Sequence, residues 1–154
     1  PSEAWRSGAN EIVKFQEGRL ISTSGLATDW LGVRYIDAPA WTQLLSNSDA
    51  SIATYTRRMD LRRGYQFDKT QTLTLKRIAQ PLGHTLQGVD RPDAVWFEET
   101  AAPSQLSSSI YAAVPNWNQT GQAKVVYTWH CIKADECFSF QEWSVQDQAK
   151  VVKP

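Results

Sequence analysis

Glu11–Tyr35 reads E-I-V-K-F-Q-E-G-R-L-I-S-T-S-G-L-A-T-D-W-L-G-V-R-Y, and its pattern decides the fold. Ile12–Phe15 is an apolar, partly alternating run. Gln16-Glu17-Gly18 supplies a tight turn, because Gly18 accepts a positive φ at no steric cost. Arg19–Thr23 is a second β-prone run, which Gly25 ends. Leu26–Trp30 then carry the chain to a third run, Leu31–Tyr35. The stretch predicts strand, turn, strand, loop, strand, with Leu26 and Trp30 as packing anchors at the loop.

Working outward, Pro1–Asn10 is polar and predicts a loosely ordered terminus with Trp5 as its one anchor. Asp37–Asn47 is the best helix: Asp37 is placed to cap it, Pro39 suits an early position, and Trp41, Leu44 and Leu45 share a face. Ser51–Leu61 alternates, with Ala53, Tyr55, Arg57, Met59 and Leu61 on one strand face, and Gly64 breaks the run. Thr70–Ala79 puts Leu73 and Leu75 together on one face, and Pro81 and Gly83 end it. Gly88–Asp93 reads as a turn and Ala94–Glu99 as a short strand holding Trp96 and Phe97. Thr100–Ser109 predicts a long loop and Ser109–Val114 a strand. Pro115–Gly121 predicts a turn, followed by a strongly β-prone run over Lys124–Ile132. Cys137–Val145 is that run's hairpin partner, and Val151 and Val152 add a last short strand. The whole predicts an all-β chain: one antiparallel β-barrel-like or sandwich domain over residues 1–154, with at most one or two short helices.

Sixteen basic residues balance sixteen acidic ones. This excludes a nucleic-acid binder that relies on bulk positive charge, and an acidic disordered tail. A chain of 154 residues buries about 70% of its unfolded surface. No apolar run reaches the roughly 18 residues that a membrane helix needs. The chain opens at Pro1 without a signal peptide, so any targeting or lipid-attachment segment is expected upstream. Seven tryptophans fit a well-filled core first, and sugar or peptide stacking second.

Cys131 and Cys137 flank the polar connection Lys133-Ala134-Asp135-Glu136. A hairpin there brings the side chains opposite one another, which allows a disulfide and an oxidising compartment. Free thiols and a zinc site are the alternatives. Zinc needs two more ligands, and His130 beside Cys131 points to the opposite strand face.

Catalytic patterns are sparse. The two histidines are His84, on a turn, and His130. No G-x-S-x-G elbow or phosphate-binding glycine loop occurs. Glu98 and Glu99 are adjacent and face opposite ways on a strand, unlike the paired carboxylates of a glycosidase. Asn118-Gln119-Thr120 matches the glycosylation acceptor pattern, but turn chemistry over Asn116–Gly121 is the plainer reading. No catalytic residue, metal ligand or cofactor is assigned.

The most polar cluster is R-R-M-D-L-R-R-G, residues 57–64. With its neighbours it supplies a candidate binding set: Tyr55, Arg57, Arg58, Arg62, Arg63 and Tyr65. Arginines in this density grip anionic glycan, phosphate or lipid headgroups through paired hydrogen bonds. The competing reading is a solvated strand face that discourages edge pairing. Arg57 shares a face with Tyr55 and Met59, so if that face is the core, Arg57 needs an acidic partner.

Three segments carry a resemblance: G-R-L-I-S-T-S-G-L-A-T-D-W-L (Gly18–Leu31), Y-T-R-R-M-D-L (Tyr55–Leu61) and N-Q-T-G-Q-A-K-V-V-Y-T-W (Asn118–Trp129). Together they resemble the YjbF/GfcB family of bacterial outer-membrane lipoproteins. The Cys131–Cys137 hairpin and the F-S-F-Q-E-W strand depart from that family's pattern. The resemblance implies a β-barrel-like domain on the periplasmic face of the outer membrane, tethered through an upstream lipidated cysteine. It implies a non-enzymatic role in capsule or exopolysaccharide export, acting by binding the glycan or a partner in the secretion machinery. A lipid-carrier-like β-domain with an apolar pocket is the alternative.

Overall fold

The computed structural model describes residues 2–6, 10–26, 28–46, 52–104, 106–117 and 121–142, with the side chains of Ser2 and Arg63 outside the description. The described residues are antiparallel β with one short α-helix among them, as the alternation predicts. β1 (Ser2–Arg6), β2 (Ile12–Gln16) and β3 (Arg19–Ser24) form a small sheet in that order. A larger, curled sheet runs β10-β9-β8-β7-β6-β5-β4. Its strands are β4 (Trp30–Ile36), β5 (Ile52–Leu61), β6 (Gln66–Ile78), β7 (Val95–Ala102), β8 (Ser109–Val114), β9 (Lys124–Lys133) and β10 (Glu136–Gln141). The helix α1 spans Trp41–Ser46.

The β2–β3 hairpin is built as the opening stretch requires. Gln16 pairs with Arg19, leaving a two-residue loop in which Glu17 and Gly18 have φ of 51° and 76°. Both values are positive, which is the primed turn geometry whose twist suits a hairpin. Gly18 has a second reason to lack a side chain: a Cβ there would overlap the Val125 side chain on β9. The turn therefore seats the small sheet against the large one.

The concave side of the curled sheet holds two apolar clusters. One joins Trp41 and Leu44 of α1 to Tyr55, Leu73, Leu75 and Phe97. The other joins Val13, Phe15 and Leu20 of the small sheet to Trp30, Met59 and Ile132. A third cluster, Trp96, Ile110, Ala112 and Val114 with Leu86 packed on it, places residues 79–94 over the other face of β7 and β8. Burial on both faces explains why Ser109–Val114 is a nearly unbroken apolar run.

Several expectations are corrected. The terminus is a strand: β1 pairs with β2 from Ser2↔Gln16 to Arg6↔Ile12, and Trp5 stacks 5.9 Å from Phe140. Backbone pairing to an existing hairpin outweighs the polar composition. Asp37 is no helix cap. It sits at φ 60°, and the first carbonyl to accept helical bonds is that of Ala40, from Gln43 and Leu44 N–H at 3.1 Å each. After Gly64 the chain needs no long loop: a 3-10 turn over Arg63–Tyr65 leads straight into β6, which starts at Gln66 rather than Thr70. β7 continues through Ala102 into the predicted loop, because Thr72, Leu73 and Thr74 pair with Ala102, Ala101 and Thr100. Asn118–Thr120, Trp143–Val145 and the strand expected at Val151 and Val152 lie outside the described residues. At the preceding turn, Asn116 Oδ1 accepts the Gly121 N–H at 2.6 Å, as turn chemistry predicts.

Candidate functional site

The candidate binding set does not share one surface. Strand alternation on β5 sends Tyr55 and Arg57 to the concave side, where Arg57 is 4% exposed, and Arg58 to solvent. Arg58 Nη1 lies 3.7 Å from Asp68 Oδ1. Tyr65, 81% exposed, leaves the 3-10 turn for open solvent. The Arg62 side chain lies 3.4 Å from Oδ2 of the buried Asp29.

Asp29 is a residue that pattern reading passed over. Its Oδ1 accepts from Thr23 Oγ1 and the Leu26 N–H, each at 3.1 Å, and its Oδ2 accepts from the Gly25 N–H at 3.3 Å. Thr23 Oγ1 in turn accepts the Trp30 N–H at 2.9 Å. One carboxylate thereby organises the β3–β4 connection, and the Asp after Gly25 in a turn was its available signal.

Inside the curl, side chains from β3, β5, β7 and β8 meet around Glu99, which is 2% exposed. Glu99 accepts hydrogen bonds from Tyr55 Oη and, at 3.1 Å, from Tyr111 Oη. As expected, its neighbour Glu98 faces the other way, 3.5 Å from Lys76. Burial, and then the Glu99 charge, push the Tyr55 and Tyr111 phenols upward, so both stay protonated donors. Burial pushes Tyr35 up to about 12, and its hydroxyl donates to the Leu20 carbonyl at 2.8 Å. Arg19 stacks over Trp41 at 4.5 Å and over Tyr55 at 5.4 Å, and donates to the Pro39 carbonyl at 3.2 Å. The cluster is a closed polar core in which Arg19 Nε alone, among the described buried side-chain nitrogens and oxygens, lacks a hydrogen-bond partner.

Arg57 lies in different surroundings. Its Nε donates to Gln71 Oε1 at 3.0 Å and its Nη2 donates to the same oxygen. Its guanidinium stacks 5.0 Å from the Trp30 ring centroid. Gln71 Nε2 donates onward to the Pro103 carbonyl at 2.9 Å. The acidic partner expected for a buried Arg57 is replaced by a neutral amide and an aromatic face. His130, 1% exposed, is pushed down to about 3, by burial first and by the Arg57 charge second. Its ring nitrogens are taken by Ser109 Oγ at 3.0 Å and by Thr128 Oγ1. A histidine so held is no base at neutral pH. His84, whose Nδ1 lies 2.8 Å from Tyr127 Oη, helps fasten residues 79–94 to the sheet.

Arg57 and Gln71 line a cavity of about 660 Å³, within the usual range for small-molecule sites. Trp30, Met59, Leu106 and Ile132 supply apolar wall, and Lys69 and Lys133 add positive charge. Among the described residues that line it, none is a carboxylate. A second cavity, of about 470 Å³, lies between the small sheet and β9–β10 and has the opposite character. Glu3, Glu17 and Glu142 share it with Lys124, and burial, then hydrogen bonding to Glu3, push Glu142 up to about 7.

No family model matches the chain, and no curated protein matches it. The fold is similar to that of the hypothetical lipoprotein YmcC from Escherichia coli (K12). The TM-score is 0.50 at 16% identity, over 90% of this chain and 68% of that one. At this identity the likeness is one of fold.

Cys131 and Cys137 are bonded to one another as directly opposed residues of the β9–β10 hairpin. The same hairpin turn carries Lys133 and Ala134 to the wall of the Arg57 cavity, so the disulfide braces that wall.

Proposed function

We propose that this chain is the periplasm-facing domain of an outer-membrane lipoprotein of the YjbF/GfcB type. In this reading it is no enzyme and assists capsule or exopolysaccharide export by binding the glycan or a secretion partner. The observation that carries the binding role is the Arg57 cavity, in which a buried cation and a tryptophan share one wall. The likeness to a hypothetical lipoprotein supports the family, and the Cys131–Cys137 disulfide fits an oxidising compartment. Titration of the domain with anionic polysaccharide tests it: Trp30 fluorescence should change as ligand enters beside it. No response at millimolar glycan removes glycan binding and leaves the protein partner.

The apolar wall of the same cavity, Met59, Leu61, Leu106 and Ile132, supports a second reading as a lipid carrier. Co-purified lipid in native mass spectrometry is its expected signature, and a ligand-free mass counts against it.

A further inference from the structure

We infer that the Arg57 cavity is a carboxylate-reading site for an acidic saccharide, with Arg57 and Lys69 as the anion contacts and Trp30 as the apolar wall. The inference rests on the glycan-binding reading above and gives it a place and a charge rule.

The argument begins from the cost of burying a cation. A guanidinium withdrawn from water calls for a compensating anion. Among the described residues, no carboxylate stands within ion-pair distance of Arg57. Gln71 Oε1 takes two of its donors, Nε and Nη2. An amide oxygen there is a neutral occupant of a fork whose shape matches a carboxylate. Lys69, half-buried on the same wall, adds a second cation; Lys133 is a third, but it is paired with Asp135 at 3.4 Å and Glu136 at 3.9 Å. No carboxylate among the described lining residues stands beside Arg57 and Lys69, so that wall of the cavity is net positive.

The rest of the lining selects the bearer of the charge. Gln66, Gln71 and Ser104 offer hydrogen-bonding groups, which suit the hydroxyls of a sugar ring. Trp30, Met59 and Ile132 offer the apolar surface that the C–H face of such a ring covers. Charge, hydrogen bonding and apolar wall in one cavity match a uronic-acid residue better than a neutral sugar or a bare acyl chain.

The test uses a short oligogalacturonate and its methyl ester, which has the same rings without the charge. Binding is read by calorimetry and tryptophan fluorescence. The acid should bind at least about tenfold more tightly than the ester, the effect of one charge-assisted contact. Lys69→Gln should weaken the acid several-fold with the thermal midpoint unchanged. Gln71→Glu should abolish binding, because it hands Arg57 an internal carboxylate. Equal affinity for acid and ester overturns the charge rule. Acid binding that both variants leave intact overturns the site while the glycan reading stands. Displacement of the oligosaccharide by millimolar inorganic phosphate reassigns the cavity to phosphate and overturns the uronate. Failure of acid and ester alike, with no response to intact anionic polysaccharide, removes the glycan reading itself.

Discussion

The molecule buries two arginines on the concave side of its curled sheet, and they differ in what surrounds them. Arg19 is 3% exposed and Arg57 is 4% exposed. Each stacks on a tryptophan, Arg19 on Trp41 at 4.5 Å and Arg57 on Trp30 at 5.0 Å. Around Arg19 the protein supplies an anion at one remove: Tyr55 stacks under the guanidinium and donates to Glu99. Helix α1 closes over it, with Trp41 held by its Nε1 donating to the Glu17 carbonyl at 2.6 Å. Around Arg57 the protein supplies Gln71 and leaves a cavity. A buried charge with its counter-charge inside the fold is architecture. A buried charge without one, facing a cavity, is a site awaiting its counter-charge from outside.

The comparison can be broken by mutation. Arg19→Met removes the cation from a closed network and opens space under three aromatic rings, so unfolding in urea should cost about 3–5 kcal/mol less than wild type. If it costs less than Arg57→Gln, the assignment of roles is reversed. Replacing both cysteines with serine should lower stability by about 2 kcal/mol, since the bridge closes a short loop. The same change should loosen ligand at the Arg57 cavity, whose wall it braces, and leave the Glu99 cluster intact, as near-ultraviolet circular dichroism of its tyrosines would show. Arg57→Gln should cost about 1 kcal/mol or less, because the lost stacking is offset by relief of an uncompensated charge. Its larger effect should be on ligand, read by fluorescence titration.

A pH dependence gives a separate test, with a limiting slope of about 1.4 kcal/mol per pH unit. His130 titrates at about 3 in the folded protein, whereas an unfolded histidine takes up its proton near about 6.5. The unfolded state binds more protons between those values, so this contribution to stability is complete above about 6.5 and is lost as pH falls toward about 3. His130→Gln should flatten that slope in thermal melts from neutral to acid pH. Arg57→Gln should move the His130 titration upward, since the Arg57 charge is one cause of its depression; an unmoved nuclear magnetic resonance titration would show that the Arg57 field is already cancelled.

Much of the fold was legible along the chain. The Glu17-Gly18 turn, the pairing partners of Ile12–Phe15, and the concave row of β5 follow from turn chemistry and alternation, which act between near neighbours. The Cys131–Cys137 pairing was legible for the same reason, as one of three open chemistries. What local pattern misjudged were places where distant backbone supplied the hydrogen bonds. β1 is ordered by β2 and the last residues of β7 by β6. The candidate site was legible only in part. Arg57 was marked as a buried arginine in need of a partner, yet its partner is Gln71, 14 residues away on the next strand.

By itself, the sequence determined an antiparallel β-chain, the opening hairpin and which side chains of each strand share a face, because periodicity and turn geometry are local properties. Only the tertiary structure decided that the 57–65 cluster is divided between core and solvent, that Arg19 stacks on the tyrosine that donates to Glu99 while Arg57 is held by Gln71, and that an acid-free cavity opens beside Arg57. Those facts depend on how the sheet curls and what the small sheet and α1 cover. The compensation of a buried charge is settled by neighbours in space, and strand pattern carries no record of them.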